Sequence, residues 1–163
     1  TPPLPDARAQ LGLALERAGR LDEAGVQLHE AIRLRPDWVE VDKFYRGLAA
    51  CLEQLGRPDE AVDAYRRILE LNPRDQAALN DLGIVLANRG DIAGAVAHYR
   101  AAVRTLPADA QLRSNYSMAL ERAGDVRESL VQLEEGLRLR PGDPGMLRRL
   151  PRLRAAASAR SVP

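Results

Sequence analysis

Apolar residues along the chain recur at helical spacing, in segments that come in pairs. In the first segment of each pair, a large residue, a small residue and another large residue occupy positions i, i+1 and i+4, which places the two large side chains on one helical face. These sets are Leu11, Gly12 and Leu15; Leu48, Ala49 and Leu52; Leu82, Gly83 and Leu86; and Tyr116, Ser117 and Leu120. In the second segment, a small residue precedes a bulky one by four positions: Ala24 and Leu28, Ala61 and Tyr65, Ala95 and Tyr99, Ser129 and Leu133. The pattern predicts eight amphipathic helices and no strand.

Glycines and prolines divide this pattern into units of fixed length. A glycine that can adopt a left-handed backbone ends each first helix, and a proline that cannot donate to the helical ladder ends each second helix. The glycines are Gly19, Gly56, Gly90 and Gly124, and the prolines are Pro36, Pro73, Pro107 and Pro141. Both series are spaced by 37, 34 and 34 residues. A repeated spacing of this kind indicates a helical repeat protein.

The repeating unit resembles the tetratricopeptide repeat. The segment from Leu79 to Pro107 matches the pattern of that family most fully, through Leu79, Leu82, Gly83, Leu86, Gly90, Ala95, Tyr99, Ala102 and Pro107. Ile68, Ser129 and Gly136 depart from it, since they replace small alanines. The resemblance covers about residues 6–141 and implies helix pairs stacked into a superhelix, whose concave face is lined by the first helix of each pair. We therefore predict an all-α, right-handed superhelical solenoid of four tetratricopeptide-type helix pairs, at about residues 6–38, 39–75, 76–109 and 110–143.

The two ends of the chain depart from the repeat. Residues 1–5 are rich in proline and are predicted to be a linker, with Asp6 as the N-cap of the first helix. Apolar residues at helical spacing predict a capping helix over 144–157, since a solenoid needs its open end covered. Pro151 lies within that helix and predicts a kink or an early end. Residues 158–163 are predicted to be a disordered tail.

The junction between the first two repeats carries three extra residues between Pro36 and Tyr45. We expect the first helix of the second repeat to start nearly one turn early, with Trp38 and Phe44 covering the junction. An alternative is that Trp38 is exposed and anchors a partner, because tryptophan is enriched at binding hot spots.

Charge and composition narrow the classes of partner. The net charge is +1, so no global field favours nucleic acid or an anionic membrane, and no apolar run approaches the ~20 residues of a membrane span. From Gly136 onward, however, the sequence contains seven arginines and only one acidic residue. These arginines either cover a solvated capping helix or dock onto an acidic partner surface, a phosphate or a neighbouring domain. No aromatic residue lies between them, which argues against single-stranded nucleic acid.

Residues that could carry chemistry are few. The single cysteine, Cys51, excludes an internal disulfide and is predicted to be buried. His29 and His98 lie on different repeats near packing faces, which indicates structural or surface roles. No phosphate loop, nucleophile elbow or metal-binding motif occurs. The sequence therefore predicts no catalytic, cofactor or metal site, and we expect the chain to be no enzyme by itself.

The concave face implied by the resemblance is the candidate binding surface. Its predicted residues are Gln10, Leu13, Arg17, Arg46, Ala50, Asn80, Asp81, Ile84, Asn88, Asn115, Met118 and Arg122, all expected to point away from the helix–helix core. The carboxylate clamp of chaperone-binding relatives is not matched. Of the asparagine ladder found in the repeat arms of O-linked sugar transferases, only Asn115 fits fully. We predict a protein-interaction module that binds a peptide or helix of a partner in this groove. The alternative is the substrate-recognition arm of a larger enzyme, such as a glycosyl- or sulfotransferase.

Overall fold

The computed structural model describes residues 4–159. Within that range the chain forms helices and no strand, which confirms the predicted all-α class and the paired helices. The helices are α1 (Pro5–Arg17), α2 (Leu21–Leu34), α3 (Val41–Gln54), α4 (Pro58–Leu71), α5 (Gln76–Asn88), α6 (Ile92–Thr105), α7 (Ala110–Ala123), α8 (Val126–Leu139) and α9 (Pro144–Ala159). Helices α1 to α8 form four consecutive pairs, and α9 follows the last pair.

Two compact units divide the chain between Ala78 and Leu79. In the first unit, α1 packs on α2, α2 on α3 and α3 on α4. Its most deeply buried side chains include Leu28, Phe44 and Ile68. In the second unit, α6 packs on α7, α7 on α8 and α8 on α9.

The turn within each pair is made by the repeat glycine. Gly19, Gly56, Gly90 and Gly124 all have positive φ, between 69° and 89°. A side chain would be strained in this left-handed conformation, which explains why glycine recurs there. Aspartates then begin two of the four following helices, α6 and α8. Asp91 and Asp125 accept hydrogen bonds from the backbone N–H groups of Gly94 and Glu128.

The ends of the chain are more helical than expected. Helix α1 already begins at Pro5, because a proline at the first helical position lacks only an N–H that would have no helical partner there. Asp6 therefore lies in the first turn and is not the N-cap. At the other end, α9 continues through Pro151 as far as Ala159, so the expected early end is wrong. The predicted linker residues 1–3 and tail residues 160–163 lie outside the described range.

The junction between the first two repeats is a loop rather than a longer helix. Helix α3 begins only one residue further from its repeat glycine than α5 and α7 do, so the prediction of nearly one extra turn is wrong. Two of the three extra residues lengthen the loop from Arg35 to Glu40. There the half-buried Trp38 ring packs on Phe44, with centroids 4.8 Å apart, and the Arg35 guanidinium lies 4.7 Å from the Trp38 centroid. These contacts favour the packing interpretation of Trp38.

Helix α9 is held by an apolar contact and by arginines. Met146 and Leu153 are buried with Leu133 and Ala110. Gly136 makes room for this contact, since a Cβ there would lie 2.8 Å from the Met146 Sδ. The family pattern has alanine at this position, so the glycine is explained by the cap.

The arginines near the C-terminal end largely pair within the chain. Arg149 and Arg152 both bind the carboxylate of Glu121 on α7, and Arg154 binds Glu134 on α8 at 2.8 Å. Arg138 and Arg140 pair with Glu135 and Asp143. Arg148 is exposed. The arginine-rich helix thus serves at least as a cap, and docking onto an acidic surface stays a prediction.

Candidate functional site

The first helix of the third repeat is positioned by a close aromatic contact. The Tyr99 ring on α6 packs against Gly83 on α5, and its hydroxyl donates a hydrogen bond to the Asn80 carbonyl oxygen at 3.2 Å. Burial raises the pKa of Tyr99, so the hydroxyl keeps its proton and remains a donor. This contact fixes the position of Asn80 and of the face of α5 on which it lies.

An amide network joins α5 to α7. The Asn115 amide nitrogen donates to the Asn80 side-chain oxygen, in a short hydrogen bond. Gln111, one turn earlier on α7, donates to the Asn115 side-chain oxygen at 3.0 Å. Asn80 in turn donates to Asp81 at 3.0 Å. Four polar side chains are thereby joined in one hydrogen-bonded network.

Exposed apolar side chains follow the amides by about one turn on each helix. Ile84 is 37% exposed and Met118 is 43% exposed, although both are large apolar residues. We call Asn80, Asp81, Ile84, Gln111, Asn115 and Met118 the α5–α7 surface. Asn88 and Arg122, a further turn along, are exposed as predicted.

The predicted groove residues of the first two repeats lie on α1 and α3. Gln10 and Arg17 are exposed, and Ala50 is half-buried. Arg46 donates to Asp75 at 2.9 Å. Burial acts to raise the pKa of Asp75, but hydrogen bonds from Arg46 and from the Ala78 N–H outweigh it and hold the pKa below its usual value. Arg46 therefore has a structural partner in the first unit.

Two predicted groove residues are buried, so the expectation that they are exposed is wrong. Leu13 is only 8% exposed, because its side chain packs closely against Gly47 on α3. A Cβ atom on Gly47 would lie 3.2 Å from the Leu13 side chain. Asn115 is only 5% exposed, because its amide faces Asn80 and Gln111. Sequence analysis missed Gln111, whose position four residues before Asn115 on the same helix could have indicated the contact.

The candidate chemical residues do not converge. His29 is exposed on α2, whereas the His98 ring nitrogen on α6 forms a hydrogen bond with the Leu79 carbonyl oxygen at 2.7 Å. Cys51 is buried as predicted, and burial raises the pKa of its thiol, which disfavours the reactive thiolate. Among residues 4–159, no three His, Cys, Asp or Glu side chains are grouped so as to hold a metal ion.

We expect the purified chain to show no catalytic turnover, because its histidines lie on separate helices and His98 is held by a backbone carbonyl. The measurement is an assay of the chelator-treated protein on a panel of hydrolase and transferase substrates. Turnover that His98→Ala abolishes, in a variant that still folds, would contradict this expectation.

No helix within residues 4–159 is both long and apolar enough to cross a membrane.

Two curated relatives match part of the sequence. The photosystem I assembly protein Ycf3 of Prochlorococcus marinus is 27% identical over 79 residues, which are 48% of this chain and 46% of Ycf3. The protein FlbA of Caulobacter vibrioides is 40% identical over 62 residues, which are 38% of this chain and 10% of FlbA. The chain thus spans about half the length of the Ycf3 relatives and a tenth of FlbA.

Solved structures match over more of the chain. YrrB, described as a TPR protein with an unusual peptide-binding site, is 22% identical with a TM-score of 0.73, over 88% of this chain and 73% of YrrB. MamA from Desulfovibrio magneticus RS-1 is 20% identical with a TM-score of 0.77, over 94% of this chain and 85% of that structure.

Models of the tetratricopeptide repeat match residues 5–74, 51–111 and 80–144. Since these matches cover most of the sequence and each helix pair follows the repeat, the chain belongs to the tetratricopeptide repeat family.

Proposed function

We propose that this chain is a protein-interaction module that binds an extended peptide or a helix of a partner along the first helices of its repeats. The observation that carries the proposal is the α5–α7 surface, where ordered amides adjoin the exposed apolar residues Ile84 and Met118. The family supports a role in protein interaction, and the described peptide-binding site of YrrB supports a peptide as the ligand. The alternative, a recognition arm of a larger enzyme, stays a prediction.

The two kinds of side chain suit a peptide ligand in different ways. Amide groups carry both donors and acceptors, so they can pair with an extended backbone whatever its sequence. Asn80 and Gln111 are partly or fully exposed and can make such contacts, and the half-buried Asp81 carboxylate can accept hydrogen bonds from backbone N–H groups. Because they are already ordered by hydrogen bonds, binding costs less side-chain entropy. Asn115 is buried and would act by positioning Asn80 rather than by touching the ligand.

The apolar pair would supply much of the binding free energy. Exposed Ile84 and Met118 can lose their remaining exposure on contact with a partner, and the flexible methionine can adapt to different side chains. The predicted groove residues Gln10, Arg17 and Ala50, on α1 and α3 of the first unit, stay predicted ligand contacts.

Replacing Ile84 and Met118 together by serine is expected to weaken partner binding about tenfold or more, since hot-spot truncations typically cost over ~1 kcal/mol. Stability should also fall, by about 2 kcal/mol in total, because each side chain still buries more than half of its surface. A partner would be identified by affinity capture from extract of the source cells, and its affinity then measured by calorimetry with each variant.

The matched control replaces two comparably exposed apolar residues, Val131 (49%) and Leu147 (46%), by serine. It should bind the partner normally. If the Ile84 and Met118 variant binds normally while the control, Trp38→Ala or Arg148→Ala loses binding, the working surface lies elsewhere and the proposal is wrong.

A further inference from the structure

The first unit contains a cleft on a different set of helix faces from the predicted groove. It has a volume of about 550 Å³ and lies between α2 and α4, with one side of α3 as its floor. Leu48, Leu52 and Leu55 line the floor, and Val26 on the α2 wall is 58% exposed. A volume of this size is typical of clefts that receive a ligand or anchoring side chains.

A glycine in the middle of α2 opens this cleft. Gly25 directly follows Ala24, the small residue of the repeat, and the other three repeats carry Val62, Val96 and Leu130 at the equivalent position. Helix-interior glycine is unfavourable, so its presence calls for a reason. Packing does not supply one, because a Cβ at Gly25 would meet only the Leu48 Cδ1, at an ordinary 3.8 Å. The side chain that the other repeats place here would project over the cleft floor.

The walls of the cleft are acidic. Helix α2 carries three acidic residues against one arginine, and α4 carries four against two, so each wall bears a net charge of −2. Asp22, Glu30, Glu60 and Asp63 line the cleft itself, against the two arginines Arg57 and Arg67, so the lining also has a net negative charge. Glu30 and Glu60 pair with Arg33 and Arg57 three residues away, but exposed pairs of this kind contribute little and can exchange for another cation.

We propose that this cleft is a second docking site, which takes a short basic segment of a partner protein. Apolar anchor side chains of that segment would enter over Leu48 and Leu52, and its flanking Arg or Lys residues would face the acidic walls of α2 and α4. The negative charge of the walls favours a positively charged segment. The apolar floor gives that segment a contact from which water is excluded. Gly25 would then be the residue that keeps the site open.

Two substitutions at one position separate the site from the stability of its helix. Gly25→Ala adds only a methyl group and should leave the cleft open, whereas Gly25→Val restores the side chain of the second and third repeats and should narrow the cleft over its floor. Gly25→Ala should raise the melting temperature by about 2–4 °C through helix propensity, and Gly25→Val should raise it less, because the β-branched valine is the weaker helix former. Loss of binding in the valine variant would therefore not arise from unfolding.

The experiment is selection of a displayed random peptide library on the intact chain, with counter-selection on Gly25→Val. The expected result is enrichment of peptides that combine Leu, Phe or Trp with Arg or Lys. Synthetic copies should bind the chain and Gly25→Ala alike, and Gly25→Val at least tenfold more weakly. The Ile84→Ser and Met118→Ser variant should bind them normally, which distinguishes this site from the groove.

Several results would overturn the proposal. These are the selection of no peptide, enrichment of acidic peptides, or equal binding to the chain and Gly25→Val. A concentration-dependent dimer that Gly25→Val abolishes would instead assign the cleft to a second copy of the chain, and would also overturn it.

Discussion

Gly83→Ala is expected to destabilise the chain by about 1–3 kcal/mol, the range found when a packed core is overfilled. The added Cβ would lie 2.3 Å from the Cζ atom of Tyr99 and 2.6 Å from its Cε1. The ring has little room to retreat, since Tyr99 is only 2% exposed and its hydroxyl is bonded to the Asn80 carbonyl. The sign of the change in unfolding free energy is informative, because alanine in place of a helix-interior glycine otherwise stabilises the protein by roughly 0.5–1 kcal/mol.

Gly25→Ala is the matched control for this prediction. Its Cβ has an ordinary 3.8 Å contact, so it should stabilise the chain by about 0.5–1 kcal/mol. Urea denaturation followed by circular dichroism measures both variants. If the two substitutions stabilise the chain equally, the Tyr99 ring does not hold α5 in the way described.

Gly83→Ala should also disturb the α5–α7 surface. A displaced Tyr99 ring would lose its hydrogen bond to the Asn80 carbonyl, and Asn80 anchors the amide network. The contact that holds the repeat together therefore also orders the candidate site.

The repeat could be predicted from sequence because its determinants are local. The glycine that ends a first helix, the small residue of a second helix and the apolar spacing each express a constraint within one helix or one turn. Gly124 illustrates this, since its positive φ follows from its place directly after α7. For the same reason, the helices, their pairing and the family could all be predicted from the sequence.

Tertiary contacts explain what the sequence did not predict. Asn115 falls on the predicted outer side of α7, yet it is buried. Its side-chain amide donates a hydrogen bond to Asn80, which lies 35 residues earlier in the sequence. Helical spacing gives the direction of a side chain but not what a neighbouring helix brings to it. The cleft beside Gly25 could not be predicted either, because only the structure shows that there is open space for a Cβ at this position.

The arginines of α9 show the same limit most clearly. They form one basic cluster in the sequence, but in the structure their side chains have different surroundings. Arg149 is only 17% exposed and reaches Glu121 on α7, 28 residues away, together with the Ser117 hydroxyl at 2.7 Å. Arg148, its neighbour in sequence, is exposed. Charge composition could not separate these two roles.

Arg149→Ala is accordingly expected to destabilise the chain by about 1–3 kcal/mol, the cost of losing hydrogen bonds to a charged group that is largely removed from water. The substitution leaves the Ser117 hydroxyl without this donor and leaves Glu121 with Arg152, whose own side chain is 72% exposed. Denaturation measures the global effect, and hydrogen exchange should show faster opening of α9 than of α7.

Arg148→Ala is the control for this prediction, since it removes the same charge from the same helix. It should change stability by less than ~0.5 kcal/mol, as is usual for exposed positions. Glu121→Gln provides a second route to the same contact. If the contact is specific, the Arg149 and Glu121 substitutions should be non-additive by more than ~0.5 kcal/mol. Equal losses from Arg148→Ala and Arg149→Ala would mean that net charge, and not the contact with Glu121, holds the cap.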